Sequence, residues 1–168
     1  EKKLKFQKLL VQEPLISATG ATTVYSDIGF MILKWVIETI ADTPLDQYLD
    51  QEVYVPLEVN NIFFIKSETT LPEMEFAATE ICPWRGRLIQ GEVHDENAFA
   101  IGGVAGHAGL FGTSESVHKL LSELMGSFNG EKRHLLFKSD LIRLFLTPPP
   151  NAQRAIGFDV PSDVGSSC

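Results

Sequence analysis

Basic charge is scarce in this 168-residue sequence: 14 Lys and Arg stand against 22 Asp and Glu, a formal net charge of −8. No basic block interrupts the acidic balance, which argues against nucleic acid and other polyanions as partners. Cysteine is nearly absent. Cys82 sits beside Pro83 and Cys168 is the last residue, so neither a CxxC metal spacing nor a disulfide framework is present. Long apolar runs are missing too. The longest, Ile28 to Ala41, is broken by Lys34 and Glu38 and is too short between charges to span a bilayer. The opening "EKKLKFQKLL" lacks the apolar stretch of a signal peptide and has no initial Met, so the natural N-terminus is expected upstream. Internal repeats and low-complexity tracts are also absent.

What the sequence does hold is a core's worth of apolar residues, 44% of the total, in a length that suits one domain better than two. Leu4, Leu9 and Leu10 share a helical face that ends before Pro14. From Ser26 to Ala41 nearly every position is apolar, with Asp27, Lys34 and Glu38 as a narrow polar stripe; a helix of that kind is expected at the centre of the core. Thr43-Pro44 reads as an N-cap and first helical position for Leu45, Tyr48 and Leu49. "NNIFFIK" has the β-branched and aromatic content of a short strand. Residues 67–93 show no period and read as a long ordered loop, turning helical toward "HDENA". Val117, Leu120, Leu121, Leu124 and Met125 define a helix capped by Thr113 or Ser114, with those five facing the core. A last helix opens at Ser139-Asp140, with Leu141, Ile142 and Phe145 inward, and stops at "TPPP". The expected fold is mainly α, with one or two short extended segments, over residues 1–150, followed by a polar segment at 151–168.

The stretch "AIGGVAGHAGLFGTSES", residues 100–116, concentrates five glycines around His107. It is no phosphate cradle: the spacing is not G-x-G-x-x-G, and no Gly-Lys-Ser/Thr follows. A metal centre would draw on His94, Asp95, Glu96 and His107, whose imidazoles and carboxylates are usual zinc or iron donors. Their spacing matches no standard motif, and the simpler reading has Asp95, Glu96 and Asn97 capping a helix with His94 as a polar neighbour. Serine chemistry of the S-x-x-K kind has one literal match, Ser116-Val117-His118-Lys119. The apolar face of that helix would point Lys119 about 180° away from the core, where it could not deprotonate a pocket serine. Tyr25-Ser26-Asp27 is better placed. Ser26 or Asp27 can cap the long apolar helix while the Tyr25 hydroxyl projects at its mouth.

Taken in order, "TVYSDIGFMILKWVIETIADTPLDQYLDQEVYVPLEVNNIFF", "CPWRGRLIQGEVHDENAFAIGGVAGHAGLFGTSESVHKLL" and "FLTPPP…IGFDVPS" resemble the middle of serine β-lactamase-related proteins. The resemblance is to the branch holding class C β-lactamases, D-alanyl-D-alanine carboxypeptidases and esterases, and it runs over nearly the whole sequence. It implies the helical domain of the β-lactamase/transpeptidase-like fold without most of the α/β sheet domain, with 151–168 leading toward that sheet. It places Tyr25 at the tyrosine of the family's Y-x-N-type motif, as, or helping to form, the general base for the nucleophilic serine. Asp27 stands where the family has asparagine. A carboxylate cannot donate the amide bonds of asparagine to a substrate, although it could hold a lysine by an ion pair. His107 is implied as a substrate-side residue of the cleft wall formed by Gly102–Gly112. No cofactor is implied. The implied partners are a β-lactam, a cell-wall peptide or an ester, and the missing α/β domain of the same protein, and the implied location is extracytoplasmic or in the cell envelope.

The S-x-x-K nucleophile ahead of Tyr25 and the family's third motif have no counterpart here, so this piece alone is expected to be inactive, its parent a serine hydrolase. Two other readings stay open at this point: a non-catalytic helical binding or scaffold domain, and a metallohydrolase using His94, Asp95 and His107.

Overall fold

The structure, a computed structural model, describes residues 2–67, 70–131, 136–150 and 154–160. Of the expected polar segment, only 154–160 falls among them, and Cys168 lies outside. Six α-helices and four short strands are described: α1 Lys2–Gln12, α2 Asp27–Ala41, α3 Leu45–Leu49, β1 Ile62–Phe64, β2 Ala78–Cys82, β3 Arg87–Gln90, α4 Glu96–Ala100, β4 Leu110–Gly112, α5 Ser114–Asn129 and α6 Ser139–Leu146. A π-helical turn, Asp50–Tyr54, continues α3. The mainly α expectation describes this content. The residues gather into two compact units, one of 1–52 and 61–112, the other of 53–60 and 113–168.

In the first unit, β1 pairs antiparallel with β4, Phe63 facing Phe111, so "NNIFFIK" does supply a strand. Residues 67–93 are not a structureless loop. β2 and β3 form an antiparallel hairpin closed by a turn over Cys82–Gly86, where Gly86 takes φ 65° and its amide donates to the Cys82 carbonyl at 2.8 Å. Ile89 and Cys82 are buried beneath it. Val93, Ala98 and Ala105 make a small core with Phe99, Ile101 and Ala108 packed against it.

The long apolar helix is not the buried centre expected of it. Along α2 only Met31 is buried, while Leu33 is 54%, Val36 45% and Ile40 81% exposed. Asp27, Met31, Lys34 and Glu38 follow the i, i+4, i+7, i+11 spacing of one helical face. That polar stripe, not the apolar surface, meets the rest of the unit: Lys34 Nζ donates to the Val104 carbonyl at 2.7 Å, and Glu38 Oε1 accepts from the Leu45 amide at 3.1 Å. The α3 cap shifts accordingly. Pro44 is the N-cap, and the Thr43 hydroxyl turns back to the Ala41 carbonyl at 3.1 Å.

The second unit repeats the inversion. Thr113 caps α5 as expected, its hydroxyl accepting from the Ser116 amide at 3.3 Å. Yet Ser116, Glu123, Gly126 and Ser127 are its buried residues, while Val117, Leu121 and Met125 are exposed. None of Leu141, Ile142 and Phe145 is buried in α6. Arg143 ties α6 to α5 through the Phe128 carbonyl at 2.8 Å.

Candidate functional site

Three segments of the first unit converge around His107. Asp95 is the N-cap of α4, its Oδ1 accepting from the Ala98 amide at 2.7 Å, as the simpler reading of "HDENA" expects. The residues before it are fixed by Arg85, whose guanidinium donates to the carbonyls of Val93 and His94, both at 2.8 Å, and lies 4.1 Å from the centre of the Phe99 ring. Arg85 escaped the sequence reading; the Trp84-Arg85-Gly86 turn, where Gly ends a short apolar run, is the signal that could have found it.

The glycine loop brings His107 onto Asp95. At Gly106 an added Cβ would fall on the Phe30 carbonyl of α2, and at Gly103, with φ 93°, on the Ile65 carbonyl. The loop therefore runs in direct backbone contact with its neighbours, which only glycine permits. His107 Nε2 meets Asp95 Oδ1 at 2.9 Å, and its side chain is 3% exposed. The imidazole thus faces Asp95 from within the unit, where the resemblance implies a residue on a cleft wall. Asp27, in the first turn of α2, completes the group: its carboxylate, that of Asp95 and the His107 ring each place a donor atom within 4.8 Å of the others.

His94 is not part of this cluster. Its Nε2 pairs with Glu80 at 2.9 Å on the exposed hairpin. Tyr25 lies two residues before α2, 70% exposed, and Ser26 is the N-cap with extended backbone and no side-chain capping bond. Partial burial opposes the ionisation of Asp95, but the Ala98 amide, the hydrogen bond and charge of His107, and the Asn97 amide outweigh it and hold its pKa below the ordinary 3.8. A lowered native pKa contributes stability that is complete above the unfolded value and is lost as pH falls through the native one. Urea melts of the parent and of Asp95→Asn should differ at pH 5, and the gap should narrow as pH falls below 3.8. A gap that persists unchanged to pH 3 would refute this role for its charge.

Ser116 and Lys119, the S-x-x-K match, are both engaged. The buried Ser116 hydroxyl donates to the Asn60 carbonyl, and Lys119 Nζ donates to the Glu58 carbonyl at 2.8 Å. Lys119 does not project away from the covered face, because that face carries Ser116 and Glu123 instead of the apolar residues. Both side chains pin the turn at 58–60.

A family model described as Beta-lactamase matches residues 2–164. The chain belongs to the β-lactamase family. This is a family of serine hydrolases. An N-acetylmuramyl-L-alanine amidase of Bacillus subtilis is 36% identical to this β-lactamase-family chain over 152 residues, 83% of the chain and 34% of the amidase. A putative D-alanyl-D-alanine carboxypeptidase of Escherichia coli is 29% identical over 153 residues, 83% of the chain and 35% of the relative. The chain thus spans about a third of the length of these curated relatives. Among solved structures, a penicillin-binding protein from Bacillus halodurans superposes with a TM-score of 0.62 at 21% identity, covering 86% of this chain and 41% of that one. The fold is therefore similar to that of the penicillin-binding proteins.

Proposed function

We propose that this chain is the helical half of a serine hydrolase of the penicillin-recognising type, which opens its substrate through an acyl-enzyme. Tyr25 acts as, or helps to form, the general base, and Asp27 holds the position of the family's asparagine. The nucleophilic serine and its lysine, with the third motif that completes the oxyanion site, come from outside residues 1–168. The serine attacks the carbonyl, the leaving amine or alcohol departs with a proton relayed through the lysine and Tyr25, and water then cleaves the ester. The names of the relatives favour a peptide or amide of the cell wall, with esters as the further class.

The observation that carries this reading is the contrast between two hydroxyl groups. Tyr25 is 70% exposed at the mouth of α2, whereas Ser116, in the one S-x-x-K of the sequence, is buried against the Asn60 carbonyl. The outward apolar side of α2, with Leu33, Val36 and Ile40, supports it as well. A surface of that kind is a docking face, and in this reading the α/β domain of the same protein covers it.

Intact-mass and peptide-mapping measurements on the full-length protein, after incubation with a fluorophosphonate and with a penicillin, test the proposal. A single adduct is expected on a serine outside residues 1–168, unaffected by Ser116→Ala, and residues 1–168 alone should take none. An adduct mapped to Ser116 would overturn it.

A further inference from the structure

We infer that Asp95 and His107 act as a fixed dyad that positions the Tyr25-Ser26-Asp27 segment, with His107 a positioning residue that never touches the substrate. The inference rests on the acyl-transfer reading above and assigns the glycine loop a role in it. At 3% exposure the His107 side chain is closed off from any ligand in solution, so it cannot be a contact on the cleft wall. What it does reach is the motif. An imidazole nitrogen, an Asp95 oxygen and an Asp27 oxygen lie within 4.8 Å of one another, brought together from the glycine loop, the N-cap of α4 and the first turn of α2.

The start of α2 needs such a brace. Ser26, its N-cap, makes no side-chain capping bond, so the helix does not fix its own entry. The dyad beside it is fixed at each joint. Asp95 Oδ1 accepts from the Ala98 amide at 2.7 Å and meets His107 Nε2 at 2.9 Å, while Arg85, its side chain 4% exposed, holds the preceding carbonyls of Val93 and His94. His107 is fixed in turn by Gly106, flush against the Phe30 carbonyl, and by the Lys34 bond to the Val104 carbonyl. A carboxylate held in this way, and kept ionised by the bonds it accepts, is a stationary negative charge. It acts on Asp27 by repulsion. The Asp27 carboxylate relieves that repulsion by turning its oxygens away from Asp95, where the lysine from outside residues 1–168 can meet them.

The test is the time course of fluorophosphonate labelling of the full-length protein, read as a maximal rate and a half-saturating concentration. His107→Leu is expected to lower the maximal rate by about 10²-fold, the effect of a misplaced catalytic group, with the half-saturating concentration and the circular dichroism unchanged. His107→Gln should bring the rate back to within about fivefold of the parent, because its amide carries an N–H to the place of Nε2; the shorter His107→Asn should not. Asp95→Asn keeps the N-cap but not the charge. It should lose as much as His107→Leu, and the double variant no more than either, since the two residues act as a unit. A raised half-saturating concentration at the parental maximal rate would make His107 a substrate contact and overturn the inference, as would a parental rate in folded His107→Leu or equal losses in His107→Gln and His107→Asn. Should His107→Leu fail to fold, Asp95→Asn and the Gln–Asn contrast decide. A parent that takes no serine adduct would sink the acyl-transfer reading and this inference with it, whereas a labelled parent with unaltered variants would overturn this inference alone.

Discussion

Replacing Tyr25 by phenylalanine in the full-length protein is expected to lower kcat by about 10²–10⁴-fold while KM changes far less. The substitution removes one hydroxyl and keeps the ring. With the side chain 70% exposed, the melting temperature should stay within the range of ordinary surface changes. A loss confined to kcat is what removal of a proton-transfer group produces, because the substrate still binds in the ground state. A structural role would lower stability, and a binding role would raise KM. Rates with an amide and with an ester substrate separate the steps further: protonation of a poor leaving amine needs the relay more than departure of an alkoxide does, so the amide rate should fall more. A kcat within about threefold of the parent on both substrates would remove Tyr25 from the mechanism.

The elements were more legible in the sequence than the faces they bury. Proline and cap signals marked α1, α5 and α6, and β-branched and aromatic residues marked β1. The β2–β3 hairpin was illegible by period because the strands do not alternate: four of five β2 residues are exposed, leaving only Cys82 buried. Its Pro83 and Gly86 turn carried the information instead. On α2 and α5, hydrophobic periodicity located the apolar stripe correctly, but these faces are turned out. The inward faces are the polar ones, through Lys34 and Glu38 on α2 and Ser116 and Glu123 on α5. Periodicity says which residues share a face; it does not say which of two faces the fold buries. The site had the same limit. Tyr25, Asp27, Asp95 and His107 each stood out by type and position, yet nothing local in the sequence brings Asp27 to Asp95. That meeting is made by the loop's backbone contacts with α2, which depend on the absence of a Cβ.

Gly106→Ala should therefore destabilise the protein by about 3 kcal/mol, although alanine is the smallest possible addition. The new Cβ would collide with the Phe30 carbonyl and press on Lys34 Cβ at 3.2 Å; a helix carbonyl cannot swing aside as a flexible side-chain end can. With a slope of roughly 1–3 kcal/mol per molar urea, the midpoint should fall by about 1–3 M. Gly29→Ala supplies the opposite sign in the same helix. An added Cβ there meets open space on helical backbone, so alanine should be neutral or stabilise by about 0.5–1 kcal/mol. The contrast tests the placement of the loop, since a loop displaced from α2 would make the two substitutions alike. Equal stability of Gly106→Ala and the parent would show that the loop does not rest on Phe30.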